Sequence, residues 1–147
     1  MRIALTGLAL MLSAPAVAAP TVFVTSPEAI KLNRPFSEAT EVNGVLYLSG
    51  QIGAEPGADQ VVPGGLEAET RQIMTNIGAV LKKRGLTYDD LFKCTVMLAD
   101  MKQWGDFNKV YVTYFKPGRF PSRSAFGANG LARDAAVELE CWANSGK

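Results

Sequence analysis

The stretch FPSRSAFGANGLARDAAVELECWA, residues 120–143, concentrates the charged side chains that could do chemistry in this chain. Arg123 follows Pro121 and precedes apolar residues, a constrained setting suited to a guanidinium that grips a carboxylate through two parallel hydrogen bonds. Glu138 and Glu140 alternate with apolar residues, so both acids belong to one face of a predicted strand. We therefore expect a site for a small organic anion. The alternatives are an exposed turn or a structural salt bridge for the arginine, and a solvated face for the acids.

The rest of the composition limits the chemistry that such a site could perform. The chain has 147 residues, 48% hydrophobic and 20% charged, which is typical of one globular domain. It contains no histidine and only two cysteines. This excludes Ser-His-Asp and Cys-His catalytic units, as well as zinc sites built from histidine or from four cysteines. Carboxylates, Arg, Lys, Tyr, hydroxyls and backbone groups remain.

Residues 1–18 have the pattern of a secretory signal peptide. The positive Arg2 precedes an apolar run too short to span a bilayer, and an A-x-A-like cleavage motif ends at Ala18. We expect cleavage after Ala18, with cleavage after Ala19 as the alternative, and a mature domain over 19–147 that is periplasmic or secreted. A buried N-terminal helix is disfavoured because the run lacks an amphipathic pattern. No later run is long enough to cross a membrane.

Export would change both the charge and the cysteine chemistry of the chain. Removing residues 1–18 takes away one charge, that of Arg2, and lowers the formal net charge from +1 to 0. A neutral domain gives no electrostatic reason to expect nucleic-acid binding. In an oxidising compartment Cys94 and Cys141 could form a disulfide. Both lie in apolar strand-like runs, and we favour two buried thiols because disulfide geometry is specific.

The elements that must position these residues follow from hydrophobic periodicity. Two alternating runs flank Asn43-Gly44, the pair preferred in a type I′ hairpin. Residues 51–65 are predicted to form a long loop, and loops of this length in a compact domain often have a functional role. The order β-β-β-α-β-α-β indicates an α+β single domain, a mixed β-sheet with two helices packed on one face. An aromatic stripe on the second helix is interpreted as core. The patterns predict helices over 66–84 and 104–114, and strands over 93–100 and 135–142.

Four segments in this order resemble the RidA/YjgF family of reactive-intermediate 2-imino-acid deaminases. They are LYLSGQIG, TRQIMTNIGAVLKKRGLTYDDLFKCTVMLADM, FNKVYVTYF and FPSRSAFGANGLARDAAVELECWA. The resemblance covers nearly the whole mature chain and implies a chorismate-mutase-like (YjgF-like) fold and a homotrimer with small clefts between subunits. The activity it implies is hydrolytic deamination of 2-imino acids to 2-oxo acids and ammonia, with no cofactor or metal.

The resemblance also implies roles for individual residues. Arg123 takes the place of the arginine that holds the substrate carboxylate, and Glu138 takes that of the acid that positions the hydrolytic water. Ser49 and Gly50 match the wall of the cleft, and Asn108 matches an asparagine that lines it.

Three positions depart from the family pattern. Phe36 stands where many members have a tyrosine, so a phenolic hydroxyl is missing from the expected substrate-binding site. Ala125, at the same site, replaces a common cysteine, and Ala132 replaces a proline. A trimer that binds small carboxylates without turning over imines, or that acts as a chaperone-like partner of other proteins, is therefore the alternative. Endoribonuclease activity, reported for some relatives, is disfavoured by the neutral charge and the export signal.

Overall fold

The computed structural model describes residues 20–146, so the expected signal peptide and its cleavage site lie outside the described residues. The bounds within this range are β1 (Val22–Val24), α1 (Pro27–Lys31), β2 (Ala39–Val42), β3 (Val45–Leu48), β4 (Gln51–Ile52), α2 (Gly65–Lys83), β5 (Leu91–Leu98), α3 (Trp104–Tyr111), β6 (Ser122–Gly127) and β7 (Val137–Asn144). No helix in this range combines the length and the apolar composition that crossing a bilayer requires.

The strands form one mixed sheet in the order β1-β2-β3-β7-β5-β6, and β4 pairs with β7 beyond the end of β3. The β2–β3 hairpin turns at Asn43 and Gly44, whose φ angles of 50° and 77° are left-handed at both positions. The predicted type I′ turn is therefore confirmed, because only this turn needs positive φ at both central residues. Most pairs are antiparallel, whereas β5 and β6 run parallel.

The helices α2 and α3 cover one face of the sheet, which confirms the predicted α+β arrangement. Strand β7 alternates fully buried residues under the helices with half-exposed residues on the other face. The burial of each large aliphatic side chain contributes about 1.5–3 kcal/mol. Residues with no exposed surface in this core include Leu46, Ile73, Met74, Ile77, Leu81, Val96, Leu98, Phe107, Val137 and Leu139.

Cys94 and Cys141 form a disulfide, so the prediction of two buried thiols is wrong. The two residues lie directly opposite each other in the antiparallel pair of β5 and β7, with their Cα atoms 4.1 Å apart. Both side chains are nevertheless fully buried in the core. The composition of the two strands predicts burial correctly, whereas the register that places the cysteines opposite each other depends on the tertiary fold.

Strand β6, which carries Arg123, is absent from the sequence prediction. Its side chains alternate between exposed and half-buried positions, and four of its six residues are exposed. An edge strand has a neighbour on one side only, so it lacks the apolar alternation by which strands are recognised. Strand β6 places Arg123 in the sheet, paired with β5, and not in an exposed turn.

Candidate active site

Arg123 projects from β6 toward α3 into a cluster of aromatic side chains. Its guanidinium carbon lies 4.4 Å from the ring centre of Trp104, 4.7 Å from that of Tyr111 and 5.7 Å from that of Phe107. The Nη2 group donates a hydrogen bond of 2.7 Å to Oδ1 of Asn108. These five residues are called the arginine cluster below. A cation stacked between rings and held by an amide has its plane fixed before any ligand arrives.

Two polar atoms of the arginine cluster, Nη1 of Arg123 and the hydroxyl of Tyr111, are buried and have no hydrogen-bond partner among the described residues. Burial lowers the pKa of Arg123, but a guanidinium stays charged at any physiological pH. Burial also raises the pKa of Tyr111 to about 12, so its phenol remains a neutral donor. Because buried donors are costly to leave unpaired, both groups are suited to an anionic acceptor.

The arginine cluster forms because residues three and four apart share one face of a helix. Trp104, Phe107, Asn108 and Tyr111 have this spacing in α3. Phe107 and Tyr111 are buried in the core, as the core interpretation of the aromatic stripe predicts, whereas Trp104 is half-buried and faces Arg123. The contact of all three rings with Arg123 is missing from the sequence prediction. The signal for it is the polar Asn108 within an otherwise aromatic face.

Glu138 lines a separate cavity of about 920 Å³, called the glutamate cavity below. Gly50, Phe36 and Arg34 also line it, as does the start of the predicted loop 51–65. A Cβ atom built on Gly50 would lie 2.0 Å from Oε1 of Glu138. Glycine leaves room for this carboxylate in its observed position, whereas a larger residue would require the end of the Glu138 side chain to move.

The surroundings of Glu138 favour the protonated form of its carboxyl group more strongly than bulk water would. Burial, and secondarily the negative charge of Glu140, raises the pKa of Glu138. Glu140 is itself oriented, since its Oε1 accepts a 3.0 Å hydrogen bond from Nε1 of Trp142. A carboxylate with a raised pKa is a better proton acceptor, as a general base must be. Within residues 20–146 no three His, Cys, Asp or Glu side chains are grouped so as to hold a metal ion.

The other predicted site residues divide between these two places. The hydroxyl of Ser49 donates to the carbonyl of Ser37 at 2.7 Å, so this side chain fixes the chain beside Gly50. Phe36 lines the glutamate cavity, and its exposed ring offers no hydroxyl there. Ala125 lies on β6 two residues after Arg123, packed against the core on the same side.

Arg123 and Glu138 lie on opposite faces of the sheet in one chain. Arg123 is in register with Cys94, whose buried side chain faces the helices. Glu138 lies between Val137 and Leu139, whose side chains are fully buried under the helices, so its own side chain faces the other way. Strand β5 lies between β6 and β7, so these two strands are about 10 Å apart. Along β5, Arg123 pairs with Cys94, whereas Glu138 pairs with Met97. The structure thus brings the predicted residues together as two groups, not as one site.

Comparisons with known proteins identify the family. Residues 26–145 match the family model described as Endoribonuclease L-PSP. The chain is 41% identical over 112 residues to a 2-iminobutanoate/2-iminopropanoate deaminase of Mus musculus, covering 76% of this chain and 82% of that protein. The chain belongs to the RidA/YjgF family. The deaminase of the same name from Homo sapiens is 38% identical over 112 residues, 76% of this chain and 81% of the human protein.

Solved structures of RidA/YjgF proteins confirm the YjgF-like fold. A conserved Rid family protein of unknown function, YyfA from Yersinia pestis, superposes with a TM-score of 0.78 at 34% identity, covering 85% of this chain and 99% of that one. RidA from an Antarctic Psychrobacter gives a TM-score of 0.70 at 28% identity, covering 76% and 89% of the two chains. The family therefore supports an imine deaminase activity, to which the two residue groups can be compared.

Proposed function

We propose that this chain is an exported 2-imino-acid deaminase that hydrolyses reactive imines to 2-oxo acids and ammonia. The observation that carries the proposal is the arginine cluster, where a fixed guanidinium keeps one buried N–H group without a partner. A carboxylate is the acceptor that this fork-shaped donor fits best. The relatives named 2-iminobutanoate/2-iminopropanoate deaminase support the reaction class.

In the proposed reaction Arg123 holds the substrate carboxylate, so the imine carbon is presented in one orientation. Glu138 accepts a proton from a water molecule as the oxygen adds to the imine carbon. That proton is returned to nitrogen to give a carbinolamine. Glu138 then transfers the hydroxyl proton to the amino nitrogen, the C–N bond breaks, ammonia leaves with the electron pair, and the C–O bond becomes the carbonyl of the 2-oxo acid. The raised pKa of Glu138 suits both proton transfers. Water supplies the oxygen of the 2-oxo acid, so the atoms balance without another reactant.

We further propose that the site is completed by a second subunit of a homotrimer. Arg123 and Glu138 of one chain cannot reach one small ligand from opposite faces of the sheet, whereas two chains could provide one group each. The face of the sheet opposite the helices, called the open face below, offers an assembly surface. Its exposed or half-exposed side chains include Phe23, Tyr47, Thr95, Met97, Phe126 and Trp142. Exposed aromatic clusters of this kind are typical of interfaces.

The test uses residues 19–147 with 2-iminopropanoate generated in place by an amino-acid oxidase. Semicarbazide traps free imine, and a deaminase lowers the amount trapped. We expect the wild type to compete with trapping and Arg123→Ala to lose activity by roughly a hundredfold or more, because it cannot orient the carboxylate. Arg123→Lys keeps the positive charge but loses the pair of parallel N–H donors, and we expect it to recover little of the lost activity.

Light scattering measures the oligomeric state of each variant, and so distinguishes loss of a catalytic side chain from loss of the trimer. We expect a trimer for the wild type and for both arginine variants. Normal activity of the Arg123→Ala trimer would contradict the proposed role, and a monomeric active enzyme would contradict the shared site. Export is tested separately, by the N-terminal residue of the protein recovered outside the cytoplasm.

A trimer that binds carboxylates without hydrolysing imines is the second candidate. Phe36 favours it, because the wall of the glutamate cavity lacks a hydroxyl at that position. This candidate predicts saturable binding of a small 2-oxo acid by calorimetry, lost in Arg123→Ala, together with unchanged semicarbazide trapping.

A further inference from the structure

Arg34 lies in the wall of the glutamate cavity and is not explained by the proposed reaction. It follows α1, where the left-handed Asn33 with a φ of 49° turns the chain toward β2. Its own N–H donates to the carbonyl of Ala29 at 3.4 Å. The guanidinium carbon lies 6.0 Å from the ring centre of Phe36. Arg34 is therefore a half-buried cation beside an aromatic wall of the cavity that holds Glu138.

The other cations of the glutamate cavity already have partners. Lys83 makes a 2.6 Å ion pair with Glu38, and Arg133 donates to the carbonyl of Ala58. Within residues 20–146, Arg34 has no carboxylate at ion-pair distance and no side-chain hydrogen bond. Its guanidinium can therefore accept a ligand anion without first giving up a protein partner.

The acids of the cavity do not cancel this cation. Of the acids that line the cavity, Glu28 and Glu55 are exposed to water, which screens their charges, and Glu38 is paired with Lys83. The fourth, Glu138, makes no ion pair with Arg34 and is the proposed base. Arg34 is half-buried, where the effective dielectric constant is lower and a charge acts more strongly. In the single chain, the cavity volume of about 920 Å³ exceeds that of an imine with a one- or two-carbon side chain.

We propose that Arg34 binds a second carboxylate of the substrate, so that the enzyme prefers imines of dicarboxylic amino acids. The inference rests on the proposed deaminase function. Arg123 of one subunit would hold the carboxylate next to the imine carbon, and Glu138 of another would position the water. Arg34 would hold the distal carboxylate, with the methylene groups beside the ring of Phe36. Water adds at the imine carbon and ammonia leaves as before, while the distal carboxylate is unchanged.

The experiment compares imines generated from glutamate and from glutamine, which have the same shape and differ in the distal charge. We expect wild-type kcat/KM to be at least about tenfold higher for the glutamate imine, the ratio typical of one charged hydrogen bond. Arg34→Gln should lose this preference and retain its rate on the glutamine imine within about twofold. Lys31→Gln, which removes the same charge from an exposed residue outside the cavity, is the matched control and should retain it.

The outcomes separate this inference from the proposed function. A wild type that hydrolyses 2-iminopropanoate and both longer imines without preference overturns the role of Arg34 alone. An equal decrease of kcat/KM for both imines in Arg34→Gln, with an unchanged Tm, also overturns the role of Arg34, because it shows a general effect on the site. A wild type that hydrolyses none of the three imines overturns the role of Arg34 together with the deaminase.

Discussion

Loss of the bond between Cys94 and Cys141 should lower the stability of the folded chain considerably. The disulfide joins residues 47 positions apart. Closing a loop of this length removes conformational entropy from the unfolded chain that is worth about 4 kcal/mol at 25 °C. With an unfolding entropy of about 2.1 cal/mol/K per residue, this corresponds to a fall in Tm of about 15 °C for a domain of this size.

The assay is thermal unfolding of three samples at one protein concentration. These are the oxidised wild type, the wild type refolded in a phosphine reductant, and the Cys94→Ala/Cys141→Ala variant. Reduction keeps both sulfur atoms in the core, so it isolates the covalent link, whereas the alanines also remove buried atoms. We expect both perturbed samples to unfold earlier, and the double variant to be insensitive to the reductant.

Two results would refute this reasoning. A fall in Tm of less than about 3 °C on complete reduction would show that the bond constrains an already restricted unfolded chain. Two reactive thiols in unfolded, unreduced protein would show that the disulfide does not form. Mass spectrometry after alkylation distinguishes these outcomes, because it counts the cysteines that are free in each sample.

Three further predictions concern the glutamate cavity and its support. Glu140→Gln removes a negative charge that raises the pKa of Glu138. The acidic limb of the kcat/KM profile should therefore move to lower pH than in the wild type. An unchanged limb would exclude Glu138 as the titrating base. Gly50→Ala would place a Cβ atom 2.0 Å from Oε1 of Glu138, so imine hydrolysis should fall about tenfold or more while Tm changes little. Gly53→Ala would place a Cβ atom 2.5 Å from the Cα of Glu69 in buried α2, and we expect about 1–3 kcal/mol of destabilisation in urea unfolding. If Gly53→Ala is as stable as the wild type, the backbone must shift to accommodate the Cβ atom.

The parts of the fold that could be predicted are those with a local physical cause. The period of 3.6 residues predicts α2 over 66–84, and the structure has it at Gly65–Lys83. The hairpin at Asn43-Gly44 follows from the preference of these two residue types for left-handed backbone. Strand β7 is found two residues later than predicted, at Val137–Asn144, because alternation fixes the faces of a strand better than its ends.

The parts that could not be predicted depend on register and on neighbours distant in sequence. Nothing local indicates that Cys94 faces Cys141, or that β6 joins the sheet as an edge strand. The division of the site has the same origin. Arg123 and Glu138 belong to one short stretch of sequence, but the intervening strand β5 and the alternation of side chains direct them to opposite faces of the sheet. Residue types thus indicated the chemistry, whereas the topology decided which groups meet.

The open face affects how measurements on this protein depend on dilution. If chains must associate through it to complete the site, association is governed by mass action, and the fraction of complete sites falls with the total protein concentration. Specific activity would then decrease on dilution, and a substrate or product analogue that bridges two chains would oppose the decrease. Unfolding would become concentration-dependent in the same way, so that a single Tm describes the protein only at a stated concentration.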